Sequence, residues 1–340
     1  MVERPVAVLA ARSELVGNVL LPEHLAELAR AFTIDTDHWV TDWDAEDDRL
    51  LSTVEFVISG WGAPLIDESV LVRLPKLRAI CHAAGSVKAV ATQQALERGV
   101  IVTSAAFANA LPVAEFTLAS LLMAAKMAPQ AAAIYRADPT WSIASGNWGT
   151  GEVADAGTYR TTVGIIGASR IGRRVLDLLR PFDFEVLLHD PFVSPEEAAK
   201  LGARSVTLTE LFENSRVVSL HAPDLPATRG MIDRDLLERL RRGSTFINTA
   251  RPRIVDNEAL RKVLSRGEVY ALLDVTDPEP LPPDDPLWGM PNVVLTPHWA
   301  GSAGNEQHRL GQAAIDEALR IVGGDVPRHA VALERWEFIA

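Results

Sequence analysis

At 340 residues the chain has room for two domains of ordinary size, and 48% hydrophobic with 23% charged residues is the balance of a globular protein. A formal net charge of −12 argues against a nucleic-acid or anionic-membrane partner, since both need a basic surface. The single cysteine, Cys81, excludes an intramolecular disulfide and a cysteine metal cluster, and no metal site is expected.

The N-terminus, MVERPVAVLAARSE, places a short apolar run between charges and lacks an apolar stretch of signal-peptide length, so the expected location is cytoplasmic. Residues 1–110 alternate strand and helix signals. Val6–Ala10, Val54–Ser59, Leu77–Cys81 and Val100–Thr103 read as strands, and Glu23–Ala31 and Asp67–Leu74 as helices, the second stopped near Pro75. This predicts a small parallel α/β domain without a phosphate-binding glycine turn. Leu111–Ala128 then predicts a long helix with Pro112 in its first turn, apolar nearly all round and buried between domains. Its most apolar stretch, Val113–Met127, carries Glu115 and Lys126 and reads as too short to cross a bilayer. Asp138–Thr158, rich in Trp, Gly and Ser, reads as a long loop; with Trp141 and Trp148 in it, it points to a homodimer.

From Thr161 the alternation resumes in the most informative stretch, TTVGIIGASRIGRRVLDLLRPFDFEVLLHD. Val163–Ile166 is a strand, Gly167–Gly172 a tight turn that opens a helix to about Arg180, and Glu185–His189 a strand ending on Asp190. That order is a dinucleotide-binding βαβ unit. Gly167 permits the sharp turn, Gly172 lets the helix lie close on the strand, and the helix start (Ser169, Arg170, Ile171) offers N–H groups to a pyrophosphate. Asp190 can accept hydrogen bonds from an adenosine ribose and would repel a 2′-phosphate, which favours NAD over NADP. Ser169 stands where the G-x-G-x-x-G pattern has its middle glycine; its hydroxyl either crowds the phosphate or hydrogen-bonds it. On this stretch alone, an ordinary αβ turn with a surface Asp is the plain alternative. Further strands near Val217, Phe246, Tyr270–Leu273 and Val293–Leu295 complete a doubly wound sheet, with helices at Pro195–Leu201, Asp233–Arg241 and Asn257–Arg266. Leu281–Pro291 is proline-rich and irregular, and Ala303–Val322 is an amphipathic helix that can return to the first domain.

Ligands of open parallel sheets bind outside the carboxyl ends of the strands. Arg251 follows the strand TFINTA, Glu279 follows YALLDV by a few residues, and His298 follows VVLTP. An arginine can fork onto a 2-oxoacid carboxylate and polarise its carbonyl. A histidine can give a proton to the oxygen as hydride arrives and remove it in reverse, while a carboxylate orients the ring and stabilises the imidazolium. Alone, each of the three is as readily a solvated loop residue or a structural histidine, and the chain has seven other histidines.

GVIVTSAAFANALPVAEFTLA (Gly99–Ala119), VVSLHAPDLPATRGMI (Val217–Ile232), NTARPRIVDNEAL (Asn248–Leu260), LLDVTDPEPL (Leu272–Leu281) and PNVVLTPHWAG (Pro291–Gly301) resemble the signature segments of the D-isomer-specific 2-hydroxyacid dehydrogenases. The likeness runs from about Val54 to Gly324, in the family's order. It implies an α/β protein with a Rossmann-type, doubly wound NAD-binding domain at 111–300. A smaller flavodoxin-like substrate domain would occupy 1–110 and be completed by 301–340. It implies Arg251, Glu279 and His298 as catalytic residues. Cofactor contacts would come from Gly167, Ser169, Arg170, Ile171, Gly172, Asp190, His221, Ala222, Pro223, Thr228, Thr249, Ala250 and His298, with Asp274 at the nicotinamide carboxamide. Ala84, Gly85 and Ser86 would hold the substrate carboxylate through backbone amides, with Asn109 near the hinge and Arg251 opposite.

The departures are specific. Ser86-Val87-Lys88 replaces the family's usual Asp followed by Asn or His, and Pro252 stands where glycine is common. Glutamate rather than glutamine at 279 argues against the formate-oxidising branch. The chain stops soon after the returning helix, so an extra regulatory domain is not expected. The implied function is NAD-dependent interconversion of a D-2-hydroxyacid and its 2-oxoacid. The alternatives are an NAD(H)-sensing binding protein without turnover and an NADPH-dependent glyoxylate or hydroxypyruvate reductase. The acid's side chain would be set by the Trp61 loop, the Gly85 turn and the stretch around Trp299.

Overall fold

The computed structural model describes residues 4–12, 16–141, 153 and 155–338. They fall into two compact units, Met1–Asn109 with Ser302–Ala340, and Ala110–Gly301.

The first unit is built on β1 (Ala7–Ala10), β2 (Trp39–Val40), β3 (Phe56–Ser59), β4 (Ala79–His82) and β5 (Ile101–Ser104), all parallel, in the spatial order β2-β1-β3-β4-β5. The runs AVLA, FVIS and AICH are buried throughout, as strands covered on both faces must be. Alternate residues serve opposite faces. Leu9, Ile58 and Cys81 pack with Leu310, Ala314 and Ile315 of the C-terminal helix Gln307–Val322, while Val8, Val57 and Ile80 pack with Val70, Leu71 and Val90. The strand order is that of flavodoxin-like sheets, with its switch point between β1 and β3.

The second unit holds β6 (Thr162–Ile166), β7 (Glu185–His189), β8 (Arg204–Ser205), β9 (Val217–Leu220), β10 (Thr245–Asn248), β11 (Tyr270–Leu273) and β12 (Val293–Leu295). Their order is β12-β11-β10-β9-β6-β7-β8, the doubly wound arrangement whose order reverses between β6 and β9. Ile165, Leu188 and Ile247 pack with Leu121, Val175 and Leu179 on one face; Val218, Leu220 and Phe246 pack with Phe212, Leu237 and Leu260 on the other.

Short helices at Val16–Val19, Asp48–Leu51 and Gln93–Glu97 and a ten-residue one at Ala128–Ala137 add to the sequence reading, and three further features differ from it. The edge strands β2 and β8 have two residues each, too short to show a period. The helix Leu208–Asn214, capped by Thr207 Oγ1 accepting from Glu210 N at 3.1 Å, adds an unforeseen element. The long apolar helix runs over Ala106–Ala125, so Pro112 lies inside it rather than in the first turn. Ser104 Oγ, accepting from Ala106 N at 3.0 Å, starts that helix directly after β5, and Pro112, in its second turn, has no N–H to give the carbonyl of Ala108. At 20 residues, with a mean hydropathy of 1.4 in its most apolar window, it is long and apolar enough to cross a membrane, contrary to the shorter stretch read above. It is nevertheless a core helix: Ala114, Leu121 and Ala125 are buried, and Thr117 bonds Thr249 Oγ1 at 3.0 Å. Of the expected Trp-rich loop, residues 142–152 and 154, Trp148 among them, lie outside the described residues.

Candidate active site

The turn after β6 is shaped by its two glycines. Gly167 has φ +93°, and a Cβ there would come within 2.8 Å of the Ala222 amide nitrogen. A Cβ on Gly172 would collide with the Gly167 carbonyl oxygen, so only glycine lets the helix Arg170–Leu179 start this close to the strand. Ser169 is the N-cap of that helix, its Oγ accepting from Gly172 N at 3.2 Å. The amides of Ser169, Arg170 and Ile171 have no acceptor among the described residues, which leaves a helix N-terminus with its donors outward. Asp190 closes the turn from β7, Oδ2 accepting from Ala168 N at 2.7 Å and Oδ1 from Phe192 N at 2.8 Å.

The loop after β9 supports the turn from below. His221 N donates to Ile166 O at 2.7 Å, and its ring is buried against Ser219 Oγ at 2.9 Å. Burial pushes its pKa down to about 3, so the ring is neutral and faces the interior. His221 and Ala222 thus meet the turn through backbone atoms. Pro223 and Thr228 shape the next loop, Thr228 Oγ1 donating to Pro223 O at 2.5 Å and accepting from Leu225 N at 2.9 Å.

β10, β11 and β12 are neighbouring parallel strands, so the segments after them emerge on one edge. After β10, Asn248 frames the backbone, Oδ1 accepting from Ala250 N at 3.0 Å and Nδ2 donating to Arg251 O at 3.2 Å. Arg251 gives Nη1 to the Ala250 carbonyl at 2.8 Å, and no carboxylate of the described residues pairs with it. The rest of its fork is open to a ligand. After β11, Asp274 is 2% exposed. Its Oδ1 accepts from Thr296 Oγ1 at 2.6 Å and Trp299 N at 2.7 Å, and Oδ2 from Ala300 N at 3.0 Å. The carboxylate is therefore largely spent on holding the loop after β12, and only one of its lone-pair directions is left for the expected carboxamide contact.

That loop carries His298 in the left-handed region, φ +56°, pinned by its N–H to Asp274 O at 2.9 Å. Its Nδ1 lies 2.7 Å from Glu279 Oε1, with side chains 46% and 43% exposed. With the carboxylate on Nδ1, Nε2 is the nitrogen left to a ligand. The structure thus brings Glu279 and His298 together, places Arg251 on the same edge, and gives Asp274 a scaffolding duty.

In the first unit, the turn Ala84–Ser86 follows β4. Ser104 Oγ bonds Gly85 O at 2.5 Å, His82 bonds the Ser86 backbone, and Asn109 Oδ1 accepts from Ser302 N at 2.9 Å. The amides of Ala84, Gly85 and Ser86 have no acceptor among the described residues. His82 is buried and its other nitrogen sits 2.9 Å from Ser59 Oγ; burial lowers its pKa to about 4. His82, Asn248 and Thr296 are supporting residues that sequence reasoning missed. The only available signal was their position at a strand end beside a singled-out residue.

Comparison with known proteins gives a consistent result. Residues 118–300 match the model of the "D-isomer specific 2-hydroxyacid dehydrogenase, NAD binding domain". The chain is 32% identical over 320 residues to a D-3-phosphoglycerate dehydrogenase of Mycobacterium tuberculosis, covering 93% of this chain but spanning only 58% of that relative's length. It is 33% identical over 270 residues to a glyoxylate reductase of Korarchaeum cryptofilum, covering 79% of this chain and 80% of the other. A crystal structure of a Thermus thermophilus protein superposes with a TM-score of 0.74 at 31% identity, covering 96% of this chain and 100% of that one. An NAD-complexed D-isomer specific 2-hydroxyacid dehydrogenase from Lactobacillus delbrueckii ssp. bulgaricus shares the fold, with a TM-score of 0.77 at 23% identity and coverage of 96% and 100%.

Proposed function

Because the chain belongs to the D-isomer specific 2-hydroxyacid dehydrogenase family, we propose that it interconverts a D-2-hydroxyacid and its 2-oxoacid with NAD. The single observation that carries this reading is the 2.7 Å pairing of His298 Nδ1 with Glu279 Oε1, on the same sheet edge as an unpaired arginine. The second unit is the NAD-binding domain, and the first supplies the carboxylate-holding turn Ala84–Ser86.

The residues after β6 fit the cofactor: outward amides at 169–171, a turn that Cβ atoms would fill, and Asp190 oriented by two backbone donors. When bound, NAD supplies the ring that accepts or gives the hydride. Arg251 forks onto the acid's carboxylate and polarises its carbonyl. His298 Nε2 takes the hydroxyl proton during oxidation and returns it during reduction, and Glu279 stabilises the imidazolium formed in between. Asp274 and Thr296 hold the backbone that aims the ring.

The acting species in this reading is a homodimer. Met123 and Tyr135, exposed apolar side chains of the helices Ala106–Ala125 and Ala128–Ala137, support it, and light scattering after size exclusion tests it. For the activity, protein with NADH and a panel of 2-oxoacids should consume NADH. His298→Ala should lose about a hundredfold or more of the rate while still binding NADH. A panel that stays inert although NADH binds would turn the reading into one of cofactor sensing.

A further inference from the structure

Glu279 sits in DPEPLPPDDP, residues 277–286, where five of ten residues are proline. Proline has no N–H, so such a segment cannot be fixed by a backbone ladder. Among the described residues the Glu279 side chain bonds His298 alone, and its backbone groups bond nothing. The other two loops of the site carry their own braces. Asp274 and Thr296 hold the loop of His298. Asn248 and Asn257 hold the loop of Arg251, Asn257 Nδ2 donating to Pro252 O and Val255 O at 3.0 Å each. What fixes Glu279 has to come from outside its own segment.

Arg261, one turn beyond Asn257 on the helix Asn257–Leu264, reaches both ends of that segment. Its Nη2 donates to Asp277 O at 3.1 Å, just before Glu279. Nε and the same Nη2 fork onto Asp285 Oδ2 at 3.2 and 2.9 Å, on the far side of Glu279. Nη1 is fixed to Asn257 O at 3.2 Å, so the whole guanidinium is committed. Asp285 Oδ1 in turn accepts from Leu287 N at 3.0 Å, and Leu281 and Leu287 are buried in the core. Burial pushes the Asp285 carboxyl up, but the Arg261 guanidinium and the Leu287 amide pull it further down, so the pair is ionised. With side chains only 23% and 8% exposed, the pair is shielded from the solvent that weakens surface ion pairs. A pair serving stability alone would be complete with Asp285; the bond to Asp277 O adds the end nearer Glu279.

Resting on the 2-oxoacid reading above, we infer that Arg261 is a positioning residue: by gripping both ends of the segment 277–285 it holds Glu279 against His298. It touches neither substrate nor cofactor in this reading, and it acts through the carboxylate alone, since the loops of Arg251 and His298 are braced without it.

The test places Arg261→Met in the unmodified chain and in Glu279→Ala. In the unmodified chain kcat for 2-oxoacid reduction should fall by ~10-fold or more, the usual penalty for a slightly misplaced catalytic group. The NADH Kd should stay within about threefold. In Glu279→Ala, where no carboxylate is left to position, the same change should alter kcat by less than about twofold. Should Arg261→Met fail to fold because Asp285 is left unpaired, Arg261→Met/Asp285→Asn takes its place, removing both charges and keeping the acceptor for Leu287 N. A second readout needs no turnover. Imidazole nitrogen NMR, with His298→Asn to identify the signal, should find the neutral His298 ring protonated on Nδ1, and Arg261→Met should shift it toward the Nε2–H form. An equal loss of kcat in both backgrounds, no loss in the unmodified chain, or an unchanged tautomer overturns the inference and leaves the dehydrogenase reading standing. A tautomer that shifts in a protein that reduces no 2-oxoacid upholds the brace and overturns the dehydrogenase reading.

Discussion

The two sheets share a logic and differ in what they offer a ligand. Each is parallel and reverses its strand order beside its first strand, at β1/β3 in one unit and β6/β9 in the other. After β6 comes Gly167-Ala168-Ser169, and the helix start is drawn so close that Gly172 meets the Gly167 carbonyl without a Cβ between them. The crevice therefore presents backbone donors. After β1 comes Ala11-Arg12, with no glycine and no such approach, and Ala11, Val19, Leu20 and Ile58 are buried there. Topology puts a crevice at each switch point; the residues of the first turn decide whether it offers backbone amides or is packed with apolar side chains.

The sharpest way to break this contrast is to give each crevice a methyl group. Gly172→Ala puts a Cβ against backbone that cannot move without opening the sheet, and should cost about 3 kcal/mol or more and abolish NADH binding. Gly60→Ala, where the nearest atom would be Ala11 Cβ at 3.4 Å, should stay within about 1 kcal/mol. Calorimetric unfolding checks both, and equal costs would end the distinction. Next in size is the strand-end acid. Asp274→Ala strands the Trp299 and Ala300 amides, and should cost about 2–3 kcal/mol. Because the same loop carries His298, kcat should fall while NADH affinity holds within about threefold. A loss of affinity with normal kcat would instead put Asp274 on the cofactor.

Both crevices also rest on a buried neutral histidine paired with a serine, His82 with Ser59 and His221 with Ser219. Their folded pKa values, about 4 and about 3, lie below the ordinary 6.5. The unfolded chain therefore binds more protons between these limits, so stability is whole above pH ~6.5 and is lost as pH falls toward ~4. Going from pH ~6.5 to ~5 should cost about 1.5 kcal/mol per histidine. His221→Asn should flatten the fall of the second unit's unfolding temperature over that range; an unchanged slope would show that the ring charges freely in place.

What could be read from the chain beforehand follows the same division. β7 and β11 were expected at Glu185–His189 and Tyr270–Leu273, where they lie, because apolar runs bounded by turn residues carry their own signal. β2 and β8 exist only through pairing with Leu9–Ala10 and Leu187–Leu188, distant in sequence, and two residues have no period. The start of the helix Ala106–Ala125 was hidden because Pro112 imitates a first-turn proline, whereas the Ser104 hydroxyl sets the boundary. In the candidate site, Arg251, Glu279 and His298 stand out by chemical type at strand ends. Thr296, Asn248 and His82 do not, since their importance lies in which distant backbone group each one reaches.

The smallest expected effect tests the one irregularity in the glycine turn. Ser169 stands where a glycine would give a pyrophosphate the closest approach, yet its Oγ points back to Gly172 N and serves the helix. A capping hydroxyl turned onto its own helix leaves the amides of 169–171 outward, so the serine does not obstruct them. Ser169→Gly should therefore cost only about 0.3–0.5 kcal/mol, the usual loss on exchanging a serine cap for glycine, and leave the NADH Kd within about threefold. A tenfold tightening would mean that the side chain stands in the phosphate's way, and the crevice of the second sheet would then be as much a matter of side chains as of backbone amides.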